Sequence, residues 1–270
     1  MSYYRHASGA LTRPSEHATL ARAGTKPVEG AYGVDPRDRL IVALDALRLD
    51  GARALAGRLF GAVRWLKVGS ALYTAAGPAA VSAFVPRFRV FLDLKFHDIP
   101  AQVAGAVDAA ICLGVDLCNV HALGGSAMLR AAAEAAANAA PAGRRPATVI
   151  AVTLLTSLDA AAMKEAAIGG TAAETALRLA RLAQAAGLGG VVASPLDAGA
   201  IRSACGPDFL IVCPGIRPAG APDDDQRRTL SPGEAITAGA DMLVVGRPIT
   251  AAPDPLRAVN EILEQIGDGV

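Results

Sequence analysis

The sequence predicts a single α/β domain, a closed (β/α)8 barrel with an N-terminal extension, and three observations predict it. After Arg39, short β-like runs alternate with alanine-rich helical windows. Eight such runs are present, and most are apolar throughout, as strands of a parallel sheet covered on both faces must be. The length of 270 residues suits such a barrel, which typically takes about 250.

In chain order the strands are expected at 40–45, 65–69, 90–94, 117–121, 148–154, 190–193, 209–212 and 242–246. Helical windows fall between them at 51–60, 102–113, 126–139, 172–186 and 232–238. A last helix closes the chain, with Leu256, Val259, Ile262, Leu263 and Ile266 at helical spacing. Gly187 and Gly239 stand where C-caps belong, and Ser231-Pro232 starts a helix in N-cap and N1 order. The longest uncharged run, 68–86, carries Gly69, Gly77 and Pro78, so it reads as a strand end, a turn and a helix rather than a membrane span. Residues 1–38 mix Arg5, Arg13, Arg22, Glu16 and Glu29 with Ser, Thr, Gly and Pro without a period, and are expected to be a tail or surface arm. Residues 39–270 are expected to form the barrel. An open doubly wound sheet is the alternative, but it wants a Gly-rich turn after its first strand, and Asp45-Ala46-Leu47-Arg48 has none.

Hydrophobic residues make up 52% and charged residues 19% of the chain, ample for a large core. A net charge of +1 gives no electrostatic case for binding nucleic acid or an anionic membrane. Cys112, Cys118, Cys205 and Cys213 form no Cys-x-x-Cys pair, and His6, His17, His97 and His121 add no zinc spacing. Buried reduced thiols are expected, which fits a cytoplasmic protein, as does an N-terminus without a signal-peptide core.

The densest chemistry follows the third strand, in Asp93-Leu94-Lys95-Phe96-His97-Asp98-Ile99-Pro100. Strand alternation places Asp93 and Lys95 on one face, where two charges are costly to desolvate. A structural ion pair at a strand end is one explanation. Catalysis is the other, and the remaining strand ends favour it, because barrel chemistry sits at the C-terminal ends of the strands. Those ends carry Asp45, Lys67, His121, Thr156, Ser157, Arg217 and Arg247. Lys67, Asp93, Lys95 and Asp98 are expected to meet in one pocket, where alternating signs make burial tolerable. Pro214-Gly215-Ile216-Arg217-Pro218 and Val245-Gly246-Arg247-Pro248 follow strands seven and eight, where barrels commonly bind phosphate. Gly246 lets backbone approach an anion and Arg247 supplies a forked guanidinium. The segment 219–229 reads as a lid, with Gln226 touching the phosphate. His97 and His121 are expected to hydrogen-bond structurally, and no residue is assigned to a metal.

These motifs resemble the orotidine 5′-phosphate decarboxylase family from about Leu40 to Ile266. The octapeptide starting at Asp93 resembles its signature. Further markers are Ala43-Leu44-Asp45, Leu66-Lys67-Val68-Gly69, Asn119-Val120-His121-Ala122, the run 152–157, Asp225-Gln226-Arg227-Arg228 and Val245-Gly246-Arg247-Pro248-Ile249-Thr250. The resemblance implies a homodimeric barrel without metal or organic cofactor that converts orotidine 5′-monophosphate to UMP and CO2, the last step of pyrimidine nucleotide synthesis. Asp45 and Lys67 would bind ribose hydroxyls. Asp93 would lie beside the substrate carboxylate, and Lys95 would deliver a proton to C6. Asp98 and Ile99 would reach the partner's site, Thr156 would touch the pyrimidine, and Gln226, Gly246 and Arg247 would hold the phosphate with Arg217 nearby.

One position departs from the family pattern. Asn-Thr usually follows Asp-Ile-Pro, and this chain has Ala101-Gln102 there, which puts a ribose contact across the dimer at issue. The alternatives are a Mg2+-dependent sugar-phosphate synthase or decarboxylase of the same barrel superfamily, and a non-catalytic nucleotide-phosphate sensor. The first needs a further acidic ligand that the strand ends do not supply. The second has no use for so costly a row of charges.

Overall fold

A computed structural model describes residues 35–45, 48–139, 146–217 and 229–269. Its eight strands are β1 (Leu40–Ala43), β2 (Trp65–Gly69), β3 (Arg89–Phe96), β4 (Leu117–His121), β5 (Thr148–Val152), β6 (Gly190–Val192), β7 (Leu210–Cys213) and β8 (Met242–Val245). Each lies parallel to the next, and β8 pairs with β1, so the expected barrel is closed. Several strands are shorter at their C-terminal ends than the apolar runs suggest. β1 stops two residues before Asp45, and β5 stops at Val152 before Thr153. There the chain leaves the ladder to form the rim.

Alternation divides the core into two shells. Ile41, Trp65, Phe91, Leu117, Ile150 and Met242 fill the inside of the barrel. Their neighbours in sequence, including Leu40, Val42, Leu66, Leu92 and Cys118, face outward against the helices. This two-sided burial explains strands apolar at nearly every position. The helical windows at 51–60, 102–113, 126–139, 172–186 and 232–238 correspond to Leu49–Leu59, Pro100–Cys112, Gly125–Asn138, Ala172–Ala185 and Pro232–Thr237. Ser231 caps the last of these through a capping box with Glu234, and Gly187 and Gly239 take φ of 88° and 107° just past helix ends.

The tertiary structure adds helices too short to show a period. They include Ser70–Ala76, Ala79–Ser82, Ala160–Glu165 and Ala198–Cys205. In the uncharged run 68–86 the expected turn, which Gly77 makes with φ 59°, and the helix after it at Ala79–Ser82 are present, and a further helix, Ser70–Ala76, precedes the turn. Among the described residues no helix is long and apolar enough to cross a membrane. The expected tail also ends earlier than residue 38. Pro36–Arg39 is a helical turn capped by Asp35, and Asp35 and Asp38 both bind the Arg64 guanidinium ahead of β2. Residues 1–34 of the expected tail lie outside the described residues. All four cysteines are free thiols, and three are buried as expected, but Cys112 is exposed at the end of its helix.

Candidate active site

The C-terminal ends of the strands surround a cavity of about 650 Å3. Its walls come from β1 to β3, β5 and β6, and from the segments following β7 and β8. Asp45, Lys67, Asp93, Lys95, Thr156, Arg217, Gly246 and Arg247 all line it. Residues that lie as much as 202 positions apart in sequence thus converge as the strand-end reading expects.

The charged side chains form a row. The Lys67 ammonium bonds both Asp45 carboxylate oxygens, at 2.8 and 2.7 Å, and reaches Asp93 Oδ2 at 3.0 Å. Asp93 Oδ1 accepts a bond from Lys95 Nζ at 2.6 Å. The order is carboxylate, ammonium, carboxylate, ammonium. Exposure rises toward both ends, with Lys67 and Asp93 side chains 7% and 12% exposed and those of Asp45 and Lys95 50% and 35%. The inner charges are therefore compensated within the protein and the outer two face the cavity.

The inner pair also holds its charge. Burial pulls the Lys67 ammonium toward neutrality, but Asp93 and Asp45 outweigh it and raise its pKa. Burial likewise favours protonated Asp93. Lys67 and Lys95, helped by hydrogen bonds from Lys95 and Asn119, reverse that and bring Asp93 down to about 2.

Gly69 makes room for this row. It pairs with Asp93 across β2 and β3, and a Cβ there would stand 2.2 Å from Asp45 Oδ1 and 3.1 Å from Lys67 Nζ. No side chain fits without moving Asp45.

Local backbone departs from regular strand geometry where Lys95 sits. Leu92 pairs with Cys118 and Phe96 with Val120, so three residues of β3 face only Asn119 of β4. This bulge gives Lys95 a φ of 53°, a left-handed conformation uncommon outside glycine. Simple alternation correctly puts Asp93 and Lys95 on one side, but the bulge sets the aim of the ammonium.

Around the rest of the rim, Thr156 is buried beyond the end of β5. Arg217 N–H donates to the Leu230 carbonyl, and Ile216 bridges Leu230, which ties together the two ends of the segment expected to be a lid. Gln226 lies in that segment, outside the described residues. Gly246 and the exposed Arg247 follow β8 on the wall beside Ala43.

Asp98 and Ile99 do not join the row in their own chain. Both are exposed, and Asp98 Oδ1 accepts the Ile99 N–H at 2.7 Å. Gln102 is exposed as well, on the helix that begins at Pro100. His97 and His121 stack, with centroids 5.4 Å apart and planes inclined by 20°, and His121 Nδ1 also accepts the Leu123 N–H, the structural hydrogen bond expected of it. Burial, then His97 and Lys95, pull His121 below its ordinary pKa. β3 ends at Phe96, so His97 lies just beyond the strand, where it is exposed.

Residues 38–262 match the family model described as orotidine 5′-phosphate decarboxylase / HUMPS family. The chain belongs to this family. It is 54% identical over 233 residues to an orotidine 5′-phosphate decarboxylase of Moorella thermoacetica, spanning 85% of this chain and 92% of that relative. A second, from Halorhodospira halophila, is 54% identical over 229 residues, 84% of this chain and 95% of the relative. Among solved structures, orotidine 5′-phosphate decarboxylase from Lactobacillus acidophilus is 35% identical with a TM-score of 0.76, covering 84% of this chain and 98% of that one.

Asn119 is the site residue that pattern reading passed over. It is wholly buried and bonds both Asp93 and the Lys95 backbone. Its signal was an amide on the inward parity of an apolar strand, between Leu117 and His121.

Gly69→Ala tests the packing of the row. Asp45 is half exposed and can swing away, so the barrel is expected to stay folded while the Asp45–Lys67 pair separates. Loss of one hydrogen bond to a charged group, about 1.5–3 kcal/mol, predicts a roughly 10- to 100-fold higher KM for the family's substrate. Steady-state kinetics beside a thermal melt checks this. A lower melting temperature with unchanged KM would show that Gly69 serves the barrel instead.

Proposed function

We propose that this chain decarboxylates orotidine 5′-monophosphate to UMP and CO2, the last step of pyrimidine nucleotide synthesis. The observation that carries the reading is the row Asp45–Lys67–Asp93–Lys95 at the barrel mouth, with its terminal ammonium exposed to the cavity. The C6–carboxylate bond breaks and leaves its electron pair in the plane of the ring, where the π system cannot spread it. Lys95 offers a fixed positive charge where that pair develops and then gives its proton to C6. CO2 leaves, and the neutral amine regains a proton from solvent. No cofactor is assigned a step in this route.

The other cavity residues bind and orient. Asp45 and Lys67 face the ribose hydroxyls, and Thr156 contacts the pyrimidine. Gly246 and Arg247, with Arg217, hold the phosphate, since a guanidinium supplies paired donors to its oxygens. Phosphate binding far from C6 positions the reacting carbon against Lys95. Asp93 anchors Lys95 and stands next to the departing carboxylate.

The active form is a homodimer whose Asp98 and Ile99 enter the partner's site. Ile99, Leu123, Leu155 and Leu196 are large exposed apolar residues, with Ile99 64% and Leu196 54% exposed. They follow β3, β4, β5 and β6 in turn, so they lie along one continuous arc of the rim. An apolar arc with a carboxylate beside it suits a second copy of the chain. Four free thiols suit the cytoplasm.

Loss of orotidine 5′-monophosphate absorbance, followed with purified protein in excess chelator, tests the reaction. Turnover that survives the chelator is expected. No turnover by folded protein overturns the reading.

Mixing two inactive variants tests the composite site. Lys95→Ala and Asp98→Ala homodimers are each expected to be severely impaired. In a hybrid, one site loses both residues and the other keeps both, so mixing should restore up to half of wild-type turnover per hybrid. If mixing restores nothing although hybrids form, Asp98 does not act across the dimer.

A further inference from the structure

Asn119 occupies the one position of β4 that faces the three bulged residues of β3, and the chemistry above gives it no task. Its side chain is wholly buried. Oδ1 accepts the Lys95 backbone N–H at 2.8 Å, and Nδ2 donates to Asp93 Oδ1 at 2.7 Å. These partners fix the amide's orientation, because an N–H requires the oxygen and a carboxylate requires the nitrogen. The same Asp93 oxygen receives Lys95 Nζ at 2.6 Å. A closed ring results, running from the Lys95 backbone through Asn119 and Asp93 to the Lys95 ammonium.

We infer that Asn119 is the positioning residue for the Lys95 ammonium, bonding its backbone directly and its charge through Asp93. The inference rests on the decarboxylase reading of the site. Its physical basis is the strained backbone. A lysine at φ 53° persists only when its surroundings hold it there, and the bulge has removed the strand ladder as a support. The Asn119 carbonyl takes the place of the missing ladder acceptor. Its amide nitrogen meanwhile fixes Asp93, so the side chain's two ends are held relative to one rigid strand. Leucine at 119 would make neither bond. Aspartate would accept from the backbone but repel Asp93.

The test compares the full-length chain with Asn119→Leu, which keeps side-chain shape, and Asn119→Asp, which keeps only the backbone acceptor. For each, kcat and KM for orotidine 5′-monophosphate, the dissociation constant of UMP and the thermal midpoint are measured. A displaced ammonium predicts a roughly 10²-fold lower kcat in both variants. KM and UMP affinity should stay within about threefold, because uniform substrate binding is untouched. UMP lacks the reacting carboxylate, so its affinity reports the pyrimidine, ribose and phosphate contacts without it. A folded Asn119→Leu with kcat within about threefold of wild type overturns the inference. So does a parallel loss of kcat and UMP affinity, or failure of both variants to fold, since each marks a purely structural asparagine. An inactive wild-type chain instead refutes the decarboxylase reading, and with it this role for Asn119.

Discussion

Lys95→Ala is expected to lower kcat for orotidine 5′-monophosphate by roughly 10⁴-fold or more while leaving the barrel folded. Positioned proton transfer contributes about 10²–10⁴-fold, and a preorganised charge at a developing anion about 10²–10³-fold; Lys95 supplies both. The ammonium lies at the open end of the row, so its removal leaves Lys67 bound to Asp45 and Asp93. What remains is two carboxylates around one ammonium, facing a substrate that carries a carboxylate and a phosphate. Affinity should therefore fall as well. Single-turnover kinetics and circular dichroism check both parts. Turnover within tenfold of wild type in folded protein would remove Lys95 as proton donor.

Asp93→Asn is expected to lower kcat by about 10²–10³-fold, since the charge that fixes Lys95 is gone while the shape remains. It also has a signature in stability. Folding brings the Asp93 pKa from 3.8 to about 2. A lowered folded-state pKa contributes stability above the unfolded value, and that contribution is lost as pH falls through the folded one. At neutral pH it amounts to about 2 kcal/mol. Wild type should therefore lose this increment as pH falls from near 4 toward 2, and the asparagine variant should not. Urea melts at neutral and acid pH measure the difference. A gap between the proteins that is equally wide at both pH values would mean that Asp93 is not held ionised by its lysines.

Much of this was legible along the chain. Trp65–Gly69 and Leu117–His121 are the strands that the apolar runs mark, because two-sided burial leaves continuous hydrophobic signals. Asp45, Lys67, Asp93, Thr156, Gly246 and Arg247 were found by reading strand ends, where barrels place chemistry. Short helices such as Ser70–Ala76 were harder, since seven residues hold too few turns to establish a period. The partners of Asn119 and the bulge at Lys95 were hidden for a different reason. They depend on a register shift between β3 and β4, which no pattern within either segment records.

The barrel, the family and the residue types gathered at its mouth can be read along the chain, because hydrophobic period and motifs are recorded within short segments. The order of the charged row, the aim of Lys95 and the outward placement of Asp98 come from the folded chain. Those follow from strand register, a bulge and the packing of distant segments, where one residue's geometry is set by neighbours remote in the chain.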